Sequence, residues 1–343
     1  MIPIYNFFIS FILTLILVPL FRKIGIKYKI LDYPDKRKIH NVAVPRSGGI
    51  AMVSVFIIII IFNILLKTVL IEIFLKIIWA FIILVFLGIY DDLKNINPRI
   101  KLLFQIIVAS IIYFNGIKIF RISNPLGGEI YLAVTISFIF TVIWVVGLIN
   151  AINFIDGMDG LAAGTILISN IFLSIISLTS KNYLVLNLSI ILIGICVGFL
   201  FYNFPPAKIF MGDTGSMFLG FIMATISIIG NRKGEVGITL LIPIILLLLP
   251  IFDTLSAIFR RIKSKKSIFK PDRKHIHHKL LEVGITYKKV LYLLYLINIY
   301  LGLIALLSLK LPREYLFLIF IILAIGVLIF FEFLKILEKI KNE

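Results

Sequence analysis

The sequence predicts an all-α, polytopic membrane protein, and three observations carry that prediction. Of 343 residues, 61% are hydrophobic and 15% charged, with a mean hydropathy of +1.11. A soluble domain is nearer half apolar and a quarter charged. The apolar residues gather into runs close to the roughly 17–25 residues that a bilayer crossing needs. Most Lys and Arg gather in every second gap between those runs. A net charge of +18 on such a chain reports orientation and attraction to anionic lipid or substrate, and excludes the nucleic-acid reading it would invite in a soluble protein. No internal repeat or low-complexity tail interrupts residues 1–343, which read as one domain.

Eleven spans are expected, at approximately 4–21, 48–66, 73–90, 101–115, 132–149, 161–179, 184–202, 215–230, 237–258, 290–309 and 315–335. The first apolar run has no Lys or Arg before it, and Arg22 and Lys23 follow it. That order argues for a retained first helix with its N-terminus outside, rather than a cleaved signal. The inside segments are then 22–47, 91–101, 150–160, 203–214, 259–289 and 335–343, which hold 26 of the 35 Lys and Arg. Basic residues mark the cytoplasmic side, so the C-terminus is also expected inside. All nine Asp and all four His fall on or near that face, while the outer loops carry only Glu72, Glu129, Glu235 and Glu314. Chemistry is therefore expected at the cytoplasmic surface. Cys196, the single cysteine, lies in an apolar run and reads as a small buried hydrophobe.

The inside loops hold the polar groups, in this order. Pro45-Arg46-Ser47-Gly48-Gly49 opens span 2. A Gly pair there lets a ligand approach backbone amides, and a helix N-terminus favours anions; a basic loop with a tight turn explains it equally. Asp91 and Asp92 end span 3. Adjacent carboxylates repel unless a cation or proton is shared, and acids at a helix C-terminus oppose its dipole, so something should compensate them. Asn150, Asn153, Asp156 and Asp159 recur every three residues and share one face if the helix persists. Their oxygens suit a hard cation such as Mg²⁺, which keeps waters and is commonly shared with substrate phosphates.

Asn203-Phe-Pro-Pro leads to Phe210-Met-Gly-Asp213-Thr-Gly-Ser216 at the start of span 8. Phe210 could stack on a base or anchor at the interface. Arg273-Lys-His275-Ile-His277-His278 closes the set. Three His in four residues could ligate zinc, but cysteine ligands are absent and the other loops offer oxygen, so a polyanion such as diphosphate is the better partner. Asp253, two turns before Arg260, reads as pairing with it. Polar groups so close to hydrocarbon are costly and usually functional. The inventory suits phosphoryl transfer between a soluble, metal-bound diphosphate and a membrane-dissolved acceptor. A cation-coupled transporter would place its ionisable groups near the midplane, often within inverted repeats; here they sit at helix ends on one side.

Taken together and in this order, these loops resemble those of the polyprenyl-phosphate N-acetylhexosamine-1-phosphate transferases, from Pro45 to His278. The resemblance implies transfer of a sugar-1-phosphate from a UDP-sugar to a polyprenyl phosphate, with UMP released and Mg²⁺ required (Mn²⁺ substituting). It implies Asp213 as the main metal ligand with Asn153 a second, Asp91 and Asp92 as the acidic pair acting on the lipid phosphate, and Asp156 and Asp159 as part of the catalytic loop lining the nucleotide site. It further implies Phe210 stacked on uracil, Asn203 near the nucleotide, and Arg46, Arg273, His275, His277 and His278 at the sugar or diphosphate. A homodimer is the assembly to be expected. The Arg-Lys-His-Ile-His-His form resembles the undecaprenyl-phosphate N-acetylglucosaminyl-1-phosphate transferase branch, which starts teichoic acid, O-antigen or other surface glycans. The phospho-MurNAc-pentapeptide branch usually has Pro-x-His-His-His there and Pro-Thr-Met-Gly-Gly at the first loop, and both departures point away from it.

Overall fold

The computed structural model describes residues 2–34, 42–66, 70–123, 128–230, 240–265, 267, 275–309 and 311, with scattered helical positions between 315 and 329. Arg273 and most of the expected span 315–335 lie outside the described residues. The helices are α1 (Ile2–Lys27), α2 (Gly48–Leu65), α3 (Leu70–Lys94), α4 (Pro98–Phe114), α5 (Val134–Ile155), α6 (Leu161–Thr179), α7 (Tyr183–Asn203), α8 (Gly212–Gly230), α9 (Leu241–Leu246), α10 (Leu248–Lys263), α11 (Ile276–Glu282) and α12 (Tyr287–Ser308). Two small antiparallel pairs accompany them: β1 (Leu31–Asp32) with β2 (Val44–Pro45), and β3 (Arg121–Ser123) with β4 (Glu129–Tyr131). Among the described residues eight helices are long and apolar enough to cross a membrane: α1, α2, α3, α5, α6, α7, α8 and α12. The chain is an all-α, multi-pass membrane protein.

Helix α8 is the axis of the bundle. It packs against α5, α3 and α2, and every residue from Thr214 to Gly230 is buried. Phe56, Phe81 and Phe218 form an aromatic contact between α2, α3 and α8, with ring centroids 5.2–6.1 Å apart. Lipid tails are as apolar as these side chains, so helices here gain from close packing more than from dehydration, and small residues sit where backbones meet. Gly49 of α2 faces Gly215 of α8 so closely that a Cβ at residue 49 would lie 2.1 Å from the Gly215 nitrogen. Helix α1 lies along α7, and α6 runs between α7 and α12. Asn6, on α1, reaches Asn63 and Asn187 across the far end of this group.

Two expectations are corrected. The single span over 237–258 is broken at Leu247, which has φ −110° and ψ 19° and separates α9 from α10. Pro250 explains the break: it has no N–H to give the Leu246 carbonyl, and its ring would clash with that carbonyl in a continuous helix. The 150–160 stretch is helical only to Ile155. Asn150 and Asn153 are within α5, Asp156 is its C-cap, and Asp159 lies in the turn beyond.

Candidate active site

The connections between α1 and α2, α3 and α4, α5 and α6, α7 and α8, and the region from α10 to α12 converge on one cavity of about 1290 Å³. Asp91, Asn153, Asp156, Asp159, Asn203, Phe210, Asp213, Arg46, His275, His277 and His278 all line it. The sequence placed these residues on separate loops; the fold brings them together.

The loops are stitched by backbone. The Phe210 N–H donates to the Pro45 carbonyl at 2.8 Å, and the Gly48 and Gly49 N–H groups donate to the carbonyls of Phe210 and Met211 at 3.0 and 2.9 Å. This overturns the reading of Gly48 and Gly49 as an anion cradle, because their amides already have partners and their missing side chains admit α8. The starts of α6 and α8 are engaged as well. Gly160 N–H donates to the Asn203 side chain at 2.9 Å, and the Asp213 and Thr214 N–H groups donate to Asp92 at 2.7 and 3.0 Å. These amides are therefore not free to bind an anion, which leaves that task to cationic side chains such as Lys101 and Arg46.

Among the described residues, Asp91 and Asp92 share no cationic side chain. Successive residues on a helix point about 100° apart, and the two carboxylates leave in different directions. Asp92 caps α8 with both oxygens and also accepts from the Thr214 hydroxyl at 2.6 Å. Gly212, with φ +66°, makes room for it, since a Cβ there would lie 2.4 Å from Asp92 Oδ1. Asp92 is absent from the cavity lining. Asp91 accepts from the Ile96 N–H at 2.6 Å and pairs with Lys101 at 2.8 Å. The compensation expected for both acids is thus the dipole of α8 for one and an ammonium for the other.

Lys101 also reaches Asp213, bridging it to Asp91. Asn153 donates its amide to Asp213 at 2.6 Å and to Ser216 at 2.8 Å. Asp156, half-buried on the same wall, has its carboxyl held well above the usual range by burial and then by the charges of Asp213, Asp92 and Asp159, with Arg46 opposing. Such a concentration of carboxylate oxygen leaves room for more positive charge than Lys101 and Arg46 supply. Among the described residues no group of three or more His, Cys, Asp or Glu is placed to hold a metal by itself. The donors nevertheless fit Mg²⁺, which takes one or two carboxylates and completes its shell with water and substrate phosphate.

Other members of the set brace the walls. Asn203 accepts from Gly160 N–H and donates to the Ile209 carbonyl, both at 2.9 Å. Asp159 accepts from Ala207 N–H at 2.9 Å, and its own N–H donates to the Tyr287 hydroxyl at 2.5 Å. Arg46 forms an ion pair with the buried Asp32. Asp253 pairs with His275 at 2.8 Å, which corrects the pairing with Arg260. Burial, followed by the charge of His278, drives His277 down to about 3, so it is neutral in the folded protein. Its Nε2 is buried and has no hydrogen-bond partner, which marks a polar position for a ligand or water to fill.

Sequence reading missed Lys101, Asp32, Tyr287, and the cavity-lining Arg261 and Lys288. Lys101 had a signal: a lysine in the first turns of an apolar helix works against the helix dipole and needs a nearby acid. Asp32 and Tyr287 had none, since each acts through one contact made only in the fold. Leu102, Ile106, Val142, Ile143 and Val146 extend the lining as an apolar wall from α4 and α5.

Residues 74–231 match the model of the glycosyl transferase family 4. The chain is 41% identical over 293 residues to a probable undecaprenyl-phosphate N-acetylglucosaminyl 1-phosphate transferase of Bacillus subtilis, covering 85% of this chain and 81% of that protein. It is 35% identical over 273 residues to an undecaprenyl-phosphate alpha-N-acetylglucosaminyl 1-phosphate transferase of Thermotoga maritima, covering 79% and 78%. A phospho-N-acetylmuramoyl-pentapeptide-transferase of Lactococcus lactis subsp. cremoris is 33% identical over 236 residues, covering 64% and 71%. With the fold, the converging loops and these relatives in view, the chain belongs to glycosyl transferase family 4.

Proposed function

We propose that this protein transfers N-acetylglucosamine 1-phosphate from UDP-N-acetylglucosamine to a polyprenyl phosphate such as undecaprenyl phosphate, releasing UMP. The single observation that carries the reading is a cavity with two kinds of wall. Asp213, Asn153, Asp156 and Asp91 line it, and so do Leu102, Ile106, Val142, Ile143 and Val146. A charged, soluble donor and a lipid acceptor need such walls side by side. The names of the Bacillus and Thermotoga relatives support the sugar and the lipid, and greater coverage by those relatives than by the pentapeptide transferase supports the branch.

In the reaction, an oxygen of the lipid phosphate attacks the phosphorus that bears the sugar. The bond from that phosphorus to the oxygen of UMP breaks, and UMP leaves with its electron pair. A phosphate monoester is largely ionised near neutral pH, so no strong base is essential. Asp213 and Asn153, with Asp91 or Asp156, would hold Mg²⁺. When bound, the metal supplies charge neutralisation at the diphosphate. Lys101 and Arg46 add fixed positive charge, and Arg46 is kept in place by Asp32. Phe210 offers a face for uracil, Asn203 and Asp159 hold the loop that carries it, and His275, His277 and His278 line the sugar side. Positioning and charge neutralisation make up most of the catalysis on this reading.

The eleven-span arrangement, with the N-terminus outside and the site facing the cytoplasm, belongs to the same proposal and rests on the distribution of Lys and Arg. A homodimer as the working assembly and surface-glycan synthesis as the use of the product are further parts of the proposal, and they follow from the family resemblance alone. The direct test is purified protein with polyprenyl phosphate, Mg²⁺ and a panel of UDP-sugars, with UMP release as the signal. UDP-N-acetylglucosamine should be turned over best. Absence of turnover with every UDP-N-acetylhexosamine would refute the function.

A further inference from the structure

Asp253 sits on the shaft of α10 and is 1% exposed. Both of its oxygens are engaged. Oδ2 lies 2.8 Å from His275 Nδ1, and Oδ1 accepts from the Ile276 N–H at 3.0 Å. An ionised carboxylate has only acceptors, so the hydrogen between it and the ring belongs to Nδ1. Nδ1 and Nε2 stand on different edges of the imidazole. With the Nδ1 edge turned to a buried acid, the Nε2 edge is the one left to the cavity that His275 lines.

The ring has little freedom to turn. Phe154 packs beside it with centroids 5.8 Å apart, and His277 stacks nearly parallel at 6.0 Å. The bond to Ile276 N–H joins the same carboxylate to the first residue of α11. Helix α10 in turn packs on α5, the helix that carries Asn153. The acid thus links the position of the His275 ring to the wall that bears the metal donors. A histidine held this way has a defined tautomer, set by the partner of its second nitrogen.

We propose that Asp253 is a positioning residue, which holds His275 with its proton on Nδ1 and presents Nε2 to the cavity as an acceptor for a hydroxyl or amide N–H of the sugar. The proposal rests on the substrate-site reading above and adds to it the chemical role of one of its histidines. A neutral acceptor beside a sugar discriminates strongly, because an analogue lacking the donor leaves a buried nitrogen unpaired.

Histidine-selective ¹⁵N labelling of the full-length protein, in detergent with Mg²⁺, reads this directly, because the chain has 4 His. His275→Gln identifies the His275 signals. The native protein should show a protonated Nδ1 and an unprotonated Nε2 at His275. In Asp253→Asn the carboxamide can donate to Nδ1, and the proton should move to Nε2. The same variant should raise KM for the UDP-sugar on the order of 10- to 100-fold, by analogy with metal-bound histidines that lose their orienting partner, with a smaller change in kcat. Asp253→Glu, which retains an acceptor, should restore the native nitrogen pattern and part of the affinity. Unmoved nitrogen signals in Asp253→Asn would overturn the proposal. So would a doubly protonated His275 in the native protein, a measurement that needs no variant to fold beyond the one used for assignment. Full UDP-sugar affinity in His275→Gln would instead overturn the substrate-site reading, whatever the native nitrogen pattern.

Discussion

Asp92 accepts three hydrogen bonds from the first turn of α8, one of them from the N–H of Asp213. The two residues should therefore fail in different ways. Asp92→Asn turns one acceptor into a donor facing donors. Leaving such groups unmatched costs roughly 1–3 kcal/mol, so the thermal midpoint should fall together with turnover. Asp213→Ala removes a carboxylate that faces the cavity and already lies among like charges. It should abolish UMP release and Mn²⁺ binding, measured by electron paramagnetic resonance, while leaving the midpoint near that of the native protein. Near-normal turnover of Asp213→Ala at limiting Mg²⁺ would remove it from the metal site. An unchanged midpoint in Asp92→Asn would show that the cap is dispensable. Sequence alone placed both acids near the chemistry but not their division of labour. That Asp92, and not its neighbour Asp91, caps Asp213 depends on the roughly 100° step between successive residues of α3 and on which helix start lies opposite, neither of which a loop motif encodes.

At the scale of the element, α11 carries a histidine whose burial is linked to pH. His277 is 2% exposed, and its pKa is lowered from 6.5 to about 3. The folded value lies below the unfolded one, so between them the unfolded chain holds a proton that the folded chain does not. Stability is then lost as pH falls below about 6.5, with a slope that approaches about 1.4 kcal/mol per pH unit from this group alone. The thermal midpoint in detergent should drop between pH 7 and pH 5, and His277→Gln should flatten that drop. Superimposable acid limbs for the two proteins would show that His277 does not stay neutral. Helices as units were easier to read than their interiors. The long apolar runs gave α2, α6 and α7 nearly to the residue. The break between α9 and α10 was written in Pro250, but an apolar run that passes through it hides the stop. Gly48 and Gly49 were legible as a place of close approach; what approaches, α8 rather than a ligand, is a tertiary fact.

For the whole molecule, the common direction of the polar loops decides what the enzyme can reach. Every connection that lines the cavity leaves the bundle at one end, while the β3–β4 hairpin, between the end of α4 and the start of α5, lies at the other. The proposed orientation puts the cavity end in the cytoplasm, on the ground that Lys and Arg concentrate there and the outer loops are poor in them. The proposed reaction requires the same orientation, because its UDP-sugar would be a soluble cytoplasmic donor while its acceptor stays in the membrane. Cysteine labelling separates the two ends. Cys196 is buried, so Cys196→Ala should give a silent background that folds. In it, Lys263→Cys, at the exposed end of α10, should be shielded from a membrane-impermeant maleimide in intact cells and should react after permeabilisation. Tyr131→Cys, at a residue 69% exposed on the hairpin, should react in intact cells. The reverse pattern would place the cavity outside the cell, away from its donor, and would refute the orientation and the proposed reaction together. Labelling at both positions in intact cells would refute the assumption that the two ends of the bundle lie on opposite sides of a bilayer.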